Sequence, residues 1–426
     1  MKFRVRKTEK LSGVAKIPAS KSHTIRAVVI ASLADGRSKI LNPLYSQDTL
    51  AAINACRLLG ANIQEYSDYM IVDGFGKNIV NPEKVIDLQN SGTSFNLICG
   101  VVSLGNFEVI LDGDDSLRSR PVEPLLCALR KLGAEAISIH GNGKPPVKIK
   151  GPIHGGKTVV DGINSQFVSS LLISTPCVAE DTEINVINPC EKPYILMTLR
   201  WLDEQNIRYT ASDDLSHFYV SGGQSYKSFE KKIPGDWSSA TFPLVAAAIT
   251  DSELLIDGLD INDVQGDKKV LEYLKRSGAI ISEEVAGIRV KHNNLIGNKI
   301  DLNSTPDALP AMAVLGCVAE GKTELVNVPQ ARIKETDRIK VMAQELSKMG
   351  ANIQEIEDGL IIYQSKLKGT IVDGHKDHRV VMALVLAGIV AEGETIITTA
   401  ESVSVTFPEF FQMMKSIGAS IEIEND

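Results

Sequence analysis

At 426 residues the chain exceeds what one ordinary hydrophobic core encloses, so two domains are expected. A net charge of −8 and an aromatic share of only 5% exclude a general nucleic-acid binder, which needs a basic stripe or base-stacking rings. The longest apolar run, 380–391, is too short to span a bilayer, and residues 1–13 lack the apolar segment of a secretory signal, so a cytoplasmic protein with no membrane partner is expected.

In chain order, a Pro18-Ala19-Ser20 turn opens a helix over 22–33 that is apolar around most of its circumference. A second helical pattern, from Thr49, carries apolar residues at i, i+3, i+4 and i+7 and runs into Gly60-Ala61-Asn62-Ile63-Gln64-Glu65. The glycine suits a helix C-terminal cap, and the residues after it alternate as in a strand. The same hexapeptide recurs unchanged at Gly350 to Glu355, with looser copies at Gly133-Ala134, Gly278-Ala279 and Gly418-Ala419 and a degenerate one at Asn206-Ile207. The spacing is roughly 70 residues, so the chain reads as six repeats. Between the copies lie further all-round apolar helices at 93–103, 165–179, 238–250, 307–319 and 378–391. Each repeat therefore holds strands, one buried helix and one half-exposed helix. Pro18 to Ser20 and Pro234 to Asp236 are the expected crossings, giving one domain over 20–235 and another from 1–19 plus 236–426.

The six cysteines, Cys56, Cys99, Cys127, Cys177, Cys190 and Cys317, form no C-x-x-C pair and are read as free, mostly buried thiols of a reducing compartment. No histidine spacing matches a metal site, His375 and His378 coming nearest. Gly316 to Thr323 fits the phosphate-loop pattern, but a helix precedes it and a strand-like stretch follows, the reverse of the required order.

The buried helices begin with Ser, Asn and Asp, ordinary capping residues. Yet cations recur at the same ends, at what read as equivalent repeat positions: Lys21, Arg26, Arg120, Lys192, Lys334, Arg338 and Arg379. Helix N-termini and cations together form anion pockets. Residues 332–338 are the densest charge cluster, and Glu335 within it could transfer a proton. Asp307 opens a buried helix, where a cap or a base that activates a hydroxyl is expected.

Nine ordered segments carry a family resemblance: residues 18–26, Asn90-Ser91-Gly92-Thr93, Arg118-Ser119-Arg120-Pro121, Asn164-Ser165-Gln166, Lys192-Pro193-Tyr194, residues 235–239, Thr305-Pro306-Asp307, residues 334–338 and Asp377-His378-Arg379. With these the sequence resembles the EPSP synthase family of enolpyruvyl transferases over essentially its full length. The resemblance implies a two-domain α/β fold, an inverted α/β barrel of six βαβαββ repeats with three per domain. It implies a cleft that closes around both substrates, no metal, no organic cofactor and a monomer. The implied reaction moves the enolpyruvyl group of phosphoenolpyruvate to the 5-hydroxyl of shikimate 3-phosphate. Lys21, Gly92, Arg120, Gln166, Arg338 and Arg379 match the phosphoenolpyruvate site. Ser22, Arg26, Asn164, Ser165, Gln166, Tyr194, Asp307 and Lys334 match the acceptor site. Asp307 matches the base for the acceptor hydroxyl, and Glu335 with Lys21 the groups that serve the methylene carbon.

The sequence departs from the family pattern at Asn96, Asn164, Glu191 and Val405. Asn96 and Val405 stand where cations are usual, Asn164 where a serine is, and Glu191 where Ser or another small polar residue is. Glu191 would repel a phosphorylated acceptor unless it is neutralised or turned away. These departures open a rival reading, an enolpyruvyl transferase for a different hydroxylated acceptor.

Overall fold

The computed structural model describes residues 1–424. Its chain divides into two compact units, one of Ala19–Pro234 and one of Met1–Pro18 with the chain from Gly235 onward.

Among the described residues, each unit holds three four-stranded sheets. In every one an edge strand runs parallel to its neighbour, and the remaining two strands are added antiparallel. One repeat shows the chain order. It runs from strand Ile86–Asp87 through helix Gly92–Val102, strand Glu108–Asp112 and helix Glu123–Lys131 to the hairpin strands Glu135–Ser138 and Val147–Lys150. This is the βαβαββ order, in which the parallel pair requires a helical crossover. Three sheets take a strand from far along the chain, one of them by pairing Ser12–Lys16 with Glu253–Asp257. Lys2–Arg6 lies between Glu394–Thr398 and Ile421–Glu424, and Glu230–Lys232 pairs with Arg37–Leu41.

The apolar helices form the cores. Lys21–Leu33, Gly92–Val102 and Ser165–Ser174 belong to one unit, and Trp237–Ile249, Leu309–Val318 and His378–Val390 to the other. Every residue of Trp237–Ile249 is buried, as all-round apolarity requires. Each large apolar side chain buried this way contributes about 1.5–3 kcal/mol. The helix expected over 165–179 stops at Ser174 and tightens into a 3₁₀ turn at Thr175–Cys177. Pro176 has no N–H to continue it, and the Leu171 carbonyl accepts both the N–H and the hydroxyl of Thr175.

The half-exposed helices end alike. Gly60, Gly133, Gly278, Gly350 and Gly418 take φ of 109°, 100°, 107°, 91° and 97°, and the degenerate copy, Asn206, takes 55°. Asparagine is the residue after glycine that best tolerates this region, so the sixth copy keeps the geometry. The phosphate-loop pattern at 316–323 spans the end of helix Leu309–Val318 and the start of strand Lys322–Val326, so it cradles nothing. Of the six cysteines, Cys56, Cys99 and Cys317 are buried, whereas Cys127, Cys177 and Cys190 are half-buried; all are free thiols. Among the described residues no helix is long and apolar enough to cross a membrane.

Candidate active site

The helix starts resolve the question of capping. Ser20, Ser91, Asn164, Asp236 and Asp377 each cap a buried helix by accepting a backbone N–H from its first turn. Asp307 does not cap. It lies in the 3₁₀ turn Pro306–Ala308 that leads into Leu309–Val318, and its carboxylate points at two arginines. The seven cations do not occupy equivalent positions, contrary to expectation. Lys21 and Arg379 sit in first turns of buried helices, whereas Lys192 and Arg338 open half-exposed ones. Arg26 lies one turn further in, and Arg120 follows the short helix Asp115–Ser119.

In the unit that contains Asp307, Arg338 is the hub. Only 1% exposed, it donates from Nη1 to Asp307 Oδ1 at 2.7 Å and from Nη2 to Glu335 Oε2 at 2.6 Å. Its Nε and Nη2 reach the two oxygens of Asp377 at 2.8 and 3.1 Å. Burial opposes its charge, but the carboxylates of Asp377, Glu335 and Asp307 outweigh that and hold its pKa above the usual arginine value. Asp307 Oδ2 meets Arg379 Nη2 at 2.9 Å, so one carboxylate is clamped between two guanidinium groups. Asp377 is fully buried and also accepts the Arg379 N–H at 2.9 Å. Arg332 braces the segment from outside, bonding Asp337 and Glu355. Lys334 follows the 3₁₀ turn Pro329–Ile333, immediately before Glu335.

In the other unit three groups of candidates gather. Lys21 Nζ meets Asp48 at 2.9 Å, and the Asp48 carbonyl accepts from Ser94 Oγ at 2.9 Å. Gly92 packs so closely on Arg120 that a Cβ there would stand 2.8 Å from Arg120 Nη1. Arg120 is aimed by Asn90 and Ser116, at 2.8 and 3.1 Å. Gln166 Nε2 donates to Thr93, and Gln166 Oε1 accepts from Asn96, at 2.9 and 2.8 Å. Asn96, where the family usually has a cation, therefore steadies Gln166.

Arg26 centres the third group. It is 1% exposed and bonds only neutral acceptors: Thr198 Oγ1, the Ser22 carbonyl, Ser169 Oγ and the Tyr194 carbonyl, at 2.9, 3.1, 3.2 and 3.2 Å. Burial pushes its pKa down to about 10, so it remains charged at neutral pH. Next to it, Glu191 is 2% exposed, takes φ 49°, and accepts from Ser165 Oγ at 2.8 Å. Glu191 is thus neither turned away nor solvated. Asn164 holds the Gln166 N–H at 3.0 Å. Val405 is buried in the 3₁₀ turn Ala400–Val405.

Sequence reasoning missed Asp48, the partner of Lys21, and the tie from Asp377 to Arg338. A capping-box pattern, Ser46 to Thr49, places Asp48 in the first turn of helix Gln47–Leu58, but nothing in it points to Lys21.

A family model described as EPSP synthase (3-phosphoshikimate 1-carboxyvinyltransferase) matches residues 5–414. A 3-phosphoshikimate 1-carboxyvinyltransferase of Acetivibrio thermocellus is 51% identical, covering 99% of both chains. One of Methanocaldococcus jannaschii is 43% identical, again over 99% of both. The solved structure of EPSP synthase from Acinetobacter baumannii superposes with a TM-score of 0.84 at 27% identity, covering all of both chains. The chain belongs to the EPSP synthase family, and its fold is the two-domain α/β fold of six βαβαββ repeats. The rival reading, a different acceptor, is not favoured by relatives of this similarity.

Proposed function

We infer that this chain is a transferase of the shikimate pathway, moving the enolpyruvyl group of phosphoenolpyruvate to the 5-hydroxyl of shikimate 3-phosphate and releasing phosphate. The observation that carries the reading is Asp307 clamped between Arg338 and Arg379, at 2.7 and 2.9 Å. A carboxylate fixed beside cations that suit phosphate and carboxylate groups can take a proton where an anionic substrate is held.

The reaction is an addition followed by an elimination. The acceptor oxygen bonds to C2 of phosphoenolpyruvate, its proton passes to Asp307, and C3 gains a proton, the step to which Glu335 and Lys21 are assigned. Loss of a proton from C3 then re-forms the double bond as the C2–O bond to phosphate breaks. Such a sequence needs acid–base groups and anion stabilisation but no covalent nucleophile. Lys21, Gly92, Arg120, Gln166, Arg338 and Arg379 are assigned to phosphoenolpyruvate. Ser22, Arg26, Asn164, Ser165, Gln166, Tyr194 and Lys334 are assigned to the acceptor. A buried arginine with only neutral partners suits a carboxylate that arrives with the ligand, and Arg26 is such a group. The reading extends to a cytoplasmic monomer.

Phosphate release from phosphoenolpyruvate tests this, with shikimate 3-phosphate and then shikimate as acceptor. Fast release with the phosphorylated acceptor alone is expected. Release with neither, in a protein that binds phosphoenolpyruvate, would refute it.

A further inference from the structure

Immediately before Asp377 the backbone makes a turn that its residues disfavour. The Asp377 N–H donates to the Gly374 carbonyl at 2.9 Å, and between them His375 and Lys376 take φ of 52° and 56°. Two successive left-handed residues mark a type I′ turn, normally supplied by Asn-Gly or Gly-Gly. His and Lys both clash with their own backbone there. Such a conformation persists only where its surroundings over-determine it, and it clusters at functional sites.

Here the surroundings are explicit. Glu345, 1% exposed, lies two turns along the helix that Arg338 opens. Its Oε1 meets the His375 Nε2 at 2.8 Å, both oxygens accept from Lys348 Nζ at 2.8 Å, and Oε2 accepts the Asp373 N–H at 3.0 Å. From the other side Asp373 Oδ1 accepts the His375 N–H and the Thr398 hydroxyl, each at 2.9 Å. Thr399 Oγ1 accepts the Lys376 N–H at 3.1 Å. Gly374 leaves no room for adjustment, since a Cβ there would stand 2.2 Å from Val381 Cγ2. The turn thus joins the helix that begins with Arg338 to the helix capped by Asp377, and Arg379 follows two residues later.

We propose that Glu345 and His375 form a clasp that holds this strained turn and thereby positions Asp377 and Arg379 for phosphoenolpyruvate. Both are positioning residues, acting through Asp377 and Arg379 rather than on substrate. The inference rests on the functional reading above.

The test compares Glu345→Ala, the pair His375→Asn with Lys376→Gly, and the three changes combined. Each is measured for KM of both substrates, kcat, and hydrogen exchange of the amides from Asp373 to Arg379. Glu345→Ala is expected to raise KM for phosphoenolpyruvate at least tenfold, leave KM for shikimate 3-phosphate within twofold, and expose the Asp377 amide to exchange. The Asn-Gly pair alone is expected to stay within twofold of the parent. In the triple variant Asn-Gly takes the turn without help, so KM for phosphoenolpyruvate returns to within threefold of the parent. An unchanged KM in Glu345→Ala, or a raised one that Asn-Gly does not restore, overturns the clasp. Should Glu345→Ala not fold, His375→Ala carries the same expectation and the same refutation. A parent protein that never turns over shikimate 3-phosphate would remove the functional reading, and amide exchange in the variants would still decide the clasp.

Discussion

Asp307 and Arg338 meet at 2.7 Å, and the same guanidinium also binds Glu335 and both oxygens of Asp377. Arg338, assigned above to phosphoenolpyruvate, thus has four of its five N–H donors already directed by the protein, which fixes the plane of its guanidinium. Replacing Asp307 by Ala removes the proposed base but leaves Arg338 held by Asp377. We expect kcat to fall by about 10²–10⁴-fold, the usual contribution of a general base, with phosphoenolpyruvate binding retained. Single-turnover kinetics beside equilibrium binding separates the two, and unchanged turnover would refute the role.

Arg26 sets stability against function. Below about pH 10 it is charged, and no carboxylate of the protein is among the partners that hydrogen-bond it. A buried charge with no ion-pair partner carries an uncompensated desolvation cost, which an apolar side chain of similar volume removes. Thr198 and Ser169 would still bond each other, at 2.8 Å. Arg26→Met should keep or raise Tm while raising KM for the acceptor by about 100-fold, a charge-assisted pair being worth about 3 kcal/mol here. A large loss of Tm would show that Arg26 serves the fold instead.

Gly92→Ala isolates steric contact from helix stability. Alanine is the better helix former by about 1 kcal/mol in a helix interior, so at Gly92, the first residue of its helix, it costs no helix stability. Its new Cβ would press on Arg120 Nη1. Tm should not fall, yet KM for phosphoenolpyruvate should rise by about tenfold, about 1.4 kcal/mol of lost binding. Steady-state kinetics with differential scanning calorimetry checks both halves.

Glu191 engages the hydroxyl of Ser165, one of the proposed acceptor contacts. Glu191→Gln keeps an acceptor for that hydroxyl and removes the negative charge. KM for shikimate 3-phosphate should fall several-fold, by about 1 kcal/mol, with KM for phosphoenolpyruvate unmoved. A higher KM would mean that the carboxylate aids binding.

Glu345 carries a pH signature. Burial opposes its charge, but Lys348, the His375 ring and the Asp373 N–H outweigh that and hold its carboxyl below the ordinary range. Asp373 is likewise held low against its own burial, by the His375 N–H and the Thr398 hydroxyl. For a depressed carboxyl, the stabilisation is fully present above the ordinary value of about 4.3, shrinks as pH falls below it, and is gone once pH passes the lower value of the folded state. The stability gap between the parent and Glu345→Gln should therefore be constant from about pH 6 to 8 and close in acid below about pH 4. A gap that persists in acid would contradict the shift.

The repeat was legible because its marker has one physical cause. A helix that must turn left-handed at its end leaves Gly or Asn, and both were readable at Gly60 through Asn206 to Gly418. The buried helices were legible for a similar reason, since a segment apolar on every side has nowhere else to go. Pairings across the chain were not. Asp48 lies 27 positions from Lys21, Asp377 lies 39 from Arg338, and Thr198 lies 172 from Arg26. No local period encodes such distances; only the folded sheets bring them together. The His375-Lys376 turn was hidden in another way, because its residues are the wrong ones for its shape.

Strand Lys2–Arg6 sits between strands that begin at Glu394 and Ile421, and Arg4 bonds Glu394 and Glu424. A chain leaving the ribosome can complete Ala19–Pro234 from one uninterrupted stretch, and domains fold as units during synthesis. The other unit cannot close this sheet until the chain through Ile421–Glu424 has emerged, because Lys2–Arg6 must wait for partners made nearly 400 residues later. Until then Phe3 and Val5, fully buried in the finished protein, stay without their core. Apolar surface left open over such an interval is what makes a partly folded chain prone to aggregate.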